Sequence, residues 1–146
     1  THLCGIDCEG LLSGDALEAV RSQCLSPREV AWIARQTRHS EPVATTLVFS
    51  AKESVFKTLA PRVQKFFGFD CAEVEDWSGG ASLTLNLTKN LHADAPTGLA
   101  LHAHYDVTDT AVLTFIVMPD PSPTAPIEPP GLGPCSARSA YLPPTT

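Results

Sequence analysis

The chain has 146 residues, 43% hydrophobic and 18% charged, and its 10 basic and 16 acidic side chains leave a net charge of −6. That length supports one domain around one core and excludes two ordinary domains, while the hydrophobic content excludes wholesale disorder. The acidic balance argues against a nucleic-acid-binding role built on clustered Lys and Arg, and the longest apolar run, Ala111 to Met118 interrupted by Thr114, falls far short of the roughly 20 residues that span a bilayer.

In chain order, His2 to Glu9 reads as a strand, closed by the turn chemistry of Gly10, Ser13, Gly14 and Asp15. Alternation puts Cys4, Ile6 and Cys8 on one face, where small buried hydrophobes are expected, and Asp7 and Glu9 on the opposite face. Asp15 is expected to cap a helix from Ala16 to about Gln23. A stronger start signal follows at Ser26-Pro27-Arg28-Glu29, with Ser as N-cap, Pro at the first helical position and Glu at the third, for a helix running to about Gln36. Thr37 to Pro42 reads as a polar loop. Thr45 or Thr46 then opens a helix to Leu59, and Pro61 to Phe67 forms a further helical turn stopped by Gly68.

Beyond Gly68 the period becomes alternating and β-branched and aromatic content rises. Phe69 to Trp77, Ser82 to Leu87, Gly98 to Val107 and Ala111 to Val117 are the expected strands, separated by Ser78-Gly79-Gly80, Asn90 to Thr97 and Thr108-Asp109-Thr110. A strand, then helices, then antiparallel strands is an α+β signature. The folded domain is expected to span residues 1–118. Nine of the 13 prolines lie in residues 119–146, which read as a disordered proline-rich tail. Five cysteines without a CxxC pair favour neither a disulfide framework nor a zinc knuckle. A reduced, cytoplasmic protein without a signal peptide is the expectation.

Asp7 and Glu9, two apart on a strand, present both carboxylates to one side. Such a pair is either a solvated edge or a place for a hard divalent cation. On the helix to Leu59, Leu47, Val48, Ala51, Val55 and Leu59 define a core-facing arc. Ser50, Glu53 and Lys57 fall within about 60° of one another on the other side, at about 100° per residue. Glu53 and Lys57 are readable as an exposed i,i+4 ion pair worth about 0.3–0.5 kcal/mol. Lys52 projects into the apolar arc, so it must snorkel to the surface or reach an anion. Acids on a strand and a helix with lysines nearby have the chemistry of a magnesium–pyrophosphate site, although spacing alone does not bring them together.

Gly5-Ile6-Asp7-Cys8-Glu9, followed some forty residues later by Phe49-Ser50-Ala51-Lys52-Glu53-Ser54-Val55-Phe56-Lys57, closely resembles the two signature motifs of the 4′-phosphopantetheinyl transferases. Pro61-Arg62-Val63-Gln64-Lys65-Phe66-Phe67-Gly68-Phe69 extends the likeness toward the siderophore-associated, enterobactin-synthase-component-D type. The resemblance covers about Gly5 to Val74 well and the later strands loosely. It implies transfer of the phosphopantetheine arm of coenzyme A to a serine of an acyl, aryl or peptidyl carrier protein. By motif, Asp7, Glu9 and Glu53 would hold Mg2+, Lys57 and Lys52 would neutralise coenzyme A phosphates, and Glu53 would act as base.

Enzymes of this type have two similar halves, and this chain, beginning at Thr1, resembles the second. The histidine motif and basic residues of the first half have no match, and His102 and His104 read as ordinary sheet residues. Activity is therefore expected to need an N-terminal half or self-association. The alternatives are an inactive half-domain or carrier-binding module lacking the coenzyme A clamp, and an α+β interaction domain with solvated carboxylates.

Overall fold

The computed structural model describes residues 1–77 and 80–120. Their elements run β1 (His2–Gly10), α1 (Gly14–Gln23), α2 (Pro27–Arg35), α3 (Glu41–Val63), a 3-10 turn (Phe69–Cys71), then β2 (Ala72–Asp76), β3 (Ser82–Leu87), β4 (Ala100–Val107) and β5 (Ala111–Pro119). The strands form one antiparallel sheet in the order β1-β5-β4-β3-β2. The architecture is thus α+β, as expected. The expected turn at Ser78 and Gly79 and the proline-rich tail beyond Asp120 lie outside the described residues. Among those described, no helix is long and apolar enough to cross a membrane.

Local chemistry explains most boundaries. At α2 the capping box forms: the Ser26 hydroxyl accepts from Glu29 N at 3.1 Å, and the Glu29 carboxylate accepts from Ser26 N at 2.9 Å. For α1 the N-cap is Ser13 rather than Asp15, which lies in the first turn, where its charge suits the positive helix end. Helix α3 starts earlier than the polar reading of residues 37–42 suggests. Ser40 is its N-cap, and Pro42 stands in the first turn, where no intrahelical N–H is needed. It also ends differently. The helix runs through Pro61 and stops because Gln64 takes the left-handed conformation (φ 55°), so the separate turn expected up to Gly68 is absent. Phe69 opens a 3-10 turn instead of a strand.

Helix α3 lies across the sheet with Leu47, Val48, Ala51, Val55 and Leu59 fully buried against Leu83, Leu85, Leu101, Val112 and Ile116. Its Ser50 and Ser54 are buried too, and both hydroxyls meet Thr114 Oγ1 on β5, at 2.9 and 2.7 Å. The α3 side opposite the core arc is therefore covered by β1 and β5 at Ser50, while Lys57 on that side stays half exposed. Gly5 permits this closeness: a Cβ there would stand 2.4 Å from Ser54 O and 2.5 Å from Thr58 Oγ1.

That contact also decides which face of β1 turns inward. Leu3, Gly5 and Asp7 are buried, whereas Cys4, Ile6 and Cys8 are exposed, the reverse of the expected burial of the cysteine face. Cys4, Ile6 and Cys8 pair with Val117, Phe115 and Leu113 of β5. Ile6 is 61% and Val117 58% exposed, and His104 of β4 stacks on Phe115 at 5.2 Å. Farther along the same sheet, the outward residues of β3 are Ser82, Thr84 and Asn86.

At the other end an aromatic cluster closes the core. Trp77 lies tilted against Trp32 at 4.8 Å and stacks with His39 at 5.5 Å, and its indole N–H donates to Tyr105 Oη at 2.9 Å. Burial, then the Arg38 charge, holds the His39 imidazole below its ordinary value. A base with a lowered pKa in the fold contributes stability above its unfolded pKa, and that contribution is lost as pH falls. Thermal unfolding of His39→Phe should therefore lose less stability than wild type between about pH 7 and about pH 5. Equal losses would refute the coupling.

Candidate active site

The inward face of β1 delivers Asp7 to the flank of α3, and Glu9 follows on the same side where the strand approaches Gly10. Asp7 is 6% exposed. Its Oδ1 accepts from Lys57 Nζ at 2.8 Å, and the same ammonium donates to Ile6 O at 3.1 Å. Oδ2 is buried without a hydrogen-bond partner. A buried carboxylate oxygen left unpaired is costly, and such exceptions are few in folded proteins.

Glu53, one turn before Lys57, completes an acidic group. Burial raises the Glu53 carboxyl above its ordinary value; the Asp7 charge raises it further and Lys57 opposes. Glu9 is raised by burial, then by Asp7 and Glu53, again against Lys57. The Lys57 ammonium is raised in turn by its hydrogen bond to Asp7. The Asp7 charge thus bears on both glutamates, and Lys57 opposes it at each. Among the described residues no three His, Cys, Asp or Glu side chains converge tightly enough to hold an ion as they stand. The donor chemistry nevertheless fits a hard divalent cation: carboxylate oxygens, one of them buried and unpaired.

Beside Glu53 an apolar cavity of about 150 Å3 opens between α3 and the segment leading to β2. Phe56, Phe66, Phe67 and Phe69 line it with Val55 and Ala72. Phe56 and Phe67 pack at 4.9 Å, while Phe66 is 84% exposed at the rim.

Lys52 differs from the role carried over by motif. Its side chain is buried, and its three ammonium hydrogens match three acceptors: Glu29 Oε1 at 2.6 Å, Cys24 O at 3.0 Å and Phe69 O at 3.2 Å. The anion demanded by its place in the apolar arc is thus a protein carboxylate, and no hydrogen is left for a phosphate. Sequence reasoning missed Glu29 as that partner because its capping role already accounted for it; the signal was the uncompensated Lys52. His102 and His104 are exposed on the sheet, with His102 Nδ1 3.1 Å from Thr84 Oγ1.

Residues 3–114 match the family described as the 4'-phosphopantetheinyl transferase superfamily. No curated protein matches the sequence. The matched span takes in β1 with Asp7 and Glu9, the whole of α3 with Glu53 and Lys57, and β5 as far as Thr114. The chain belongs to the 4'-phosphopantetheinyl transferase superfamily.

Proposed function

We propose that this chain is the catalytic lobe of a magnesium-dependent transferase that moves the phosphopantetheine arm of coenzyme A onto a serine hydroxyl of an acyl, aryl or peptidyl carrier protein. The observation that carries this reading is the buried, unpartnered Oδ2 of Asp7, held beside the raised carboxyls of Glu9 and Glu53. These three would hold Mg2+, which when bound neutralises pyrophosphate charge. Lys57, half exposed, would add its ammonium to the phosphoryl oxygens. The serine oxygen forms a bond to the phosphorus nearer the arm, the bond to the bridging oxygen breaks, and adenosine 3′,5′-bisphosphate leaves. Glu53 takes the serine proton, and its raised pKa suits a general base. The apolar cavity beside Glu53 accepts the thiol-bearing end of the arm.

Siderophore assembly is the pathway we propose, supported by the residue pattern from Pro61 to Phe69, and a cytoplasmic location is supported by the free state of Cys4, Cys8, Cys24 and Cys71. The exposed apolar strip of Ile6, Phe115 and Val117 supports a second lobe, or a second copy, packing over β1 and β5. The test is label transfer from coenzyme A to an apo carrier protein, by the chain alone and with a first lobe added. Asp7→Asn should cut transfer by about a hundredfold, with part of the loss regained at high magnesium. Full activity of that variant would remove Asp7 from the metal site.

A further inference from the structure

A closed network of buried charge borders the cavity: Lys52 contributes to its wall, while its ammonium is turned to protein acceptors. Glu29 and Lys52 are both almost wholly inaccessible and meet at 2.6 Å. Glu29 Oε1 also accepts from Ser26 N, and Oε2 accepts from Val74 N at 2.9 Å. Lys52 meanwhile donates to Cys24 O and Phe69 O. Two side chains thus fasten the α1–α2 connection, α2, α3, the 3-10 turn and β2 at one point. Apolar residues packed in their place would hold those segments together as firmly, because buried pairs lose much of their attraction to desolvation. What the ion pair adds is direction, since each hydrogen bond fixes a distance and an angle.

The segments so fixed are the cavity walls. Lys52 holds the carbonyl of Phe69, whose ring stacks on Phe49 of α3 at 5.5 Å, and Glu29 holds the amide of Val74, two residues beyond the wall residue Ala72. Glu53 follows Lys52 directly on α3 and shares the cavity wall. We propose that Glu29 and Lys52 are positioning residues that set the width of this cavity relative to Glu53, and thereby the fit of the coenzyme A arm. The proposal rests on the transfer reading above, and its test separates the two.

The experiment compares wild type, Glu29→Gln, Lys52→Met and the double variant. Each single change leaves a buried charge unpaired and should lower the unfolding midpoint by roughly 15 °C, whereas the double variant removes both charges and should regain most of it. If the pair only stabilises, the KM for coenzyme A follows the midpoint and the double variant resembles wild type. If the pair positions the cavity, the double variant keeps a KM about tenfold above wild type with kcat within about threefold. Pantetheine alone, titrated while the amide signals of Phe66, Phe67 and Phe69 are followed by NMR, should bind the double variant weaker by a similar factor. Should the single variants fail to fold, the double variant carries the comparison.

Wild-type KM and pantetheine affinity in the double variant would overturn the proposal. If wild type transfers nothing even when joined by a first lobe, the transfer reading fails, and pantetheine binding still decides: weaker in the double variant upholds positioning, while equal binding, or none by either protein, overturns it.

Discussion

Replacing Glu53 by Gln should reduce transfer from coenzyme A by about a hundredfold or more, because it removes a metal-ligating charge and the proton acceptor together. The same substitution should make the metal-free protein more stable. Both Glu53 and Glu9 have carboxyls raised by burial and then by the Asp7 charge. An acid whose pKa is higher in the fold binds more protons folded than unfolded, so stability falls as pH rises above the ordinary value of 4.5 and stays reduced beyond the folded pKa. Without magnesium, the stability of wild type relative to Glu53→Gln should therefore fall as pH rises from about 4.5. Magnesium should raise the wild-type midpoint more than that of the variant. A variant less stable than wild type, with an unchanged pH slope, would show that the carboxylates do not repel in the fold.

The second large effect lies at Gly5, on the same inward face of β1 as Asp7. A methyl group there meets Ser54 O at 2.4 Å and Thr58 N at 2.8 Å, both backbone atoms of α3 that have no room to yield. Gly5→Ala should cost about 3 kcal/mol, the upper part of the overpacking range, and lower the midpoint by roughly 10–20 °C. Because Asp7 is two residues away on the same face, the shift also moves its carboxylate relative to Glu53, so magnesium affinity should fall. Gly10→Ala is the control, since its nearest neighbour is Thr110 O at 3.9 Å. Thermal unfolding of the two variants checks the claim; equal midpoints would mean that β1 and α3 are not in tight contact.

Gly5 also shows why part of the fold was legible in the sequence and part was not. Alternation along β1 separates Cys4, Ile6 and Cys8 from Asp7 and Glu9 correctly, but it carries no sign saying which set faces inward. Hydrophobicity favoured the cysteine side, and the inward side is instead selected by the one residue small enough for α3 to approach. Capping chemistry was legible where it is local. Ser26, Pro27 and Glu29 announce α2 within four residues. Ser40 and Pro42 announce α3 equally well, but lie within a stretch whose polarity reads as loop. The end of α3 was not legible, because a left-handed Gln64 has no sequence mark while Gly68 does.

The acidic group was legible as residue types and not as an arrangement. Periodicity placed Glu53 and Lys57 on one side of a helix, but only the sheet brings Asp7 to Lys57, 50 residues away in sequence. Lys52 was legible as an anomaly: a charge in an apolar arc needs a partner. Its partner Glu29 lies 23 residues earlier and is held by Val74 from β2, a convergence that no local spacing encodes.

The central claim is that Asp7, Glu9, Glu53 and Lys57 form a phosphopantetheine transfer site. Intact mass spectrometry of an apo carrier protein, incubated with coenzyme A, magnesium and this chain joined by a first lobe, tests it most directly. The expected result is a carrier heavier by one phosphopantetheine on its serine, with no gain when magnesium is chelated or when Glu53→Gln replaces wild type. An unmodified carrier under every condition, or the same gain with Glu53→Gln as with wild type, would contradict the account.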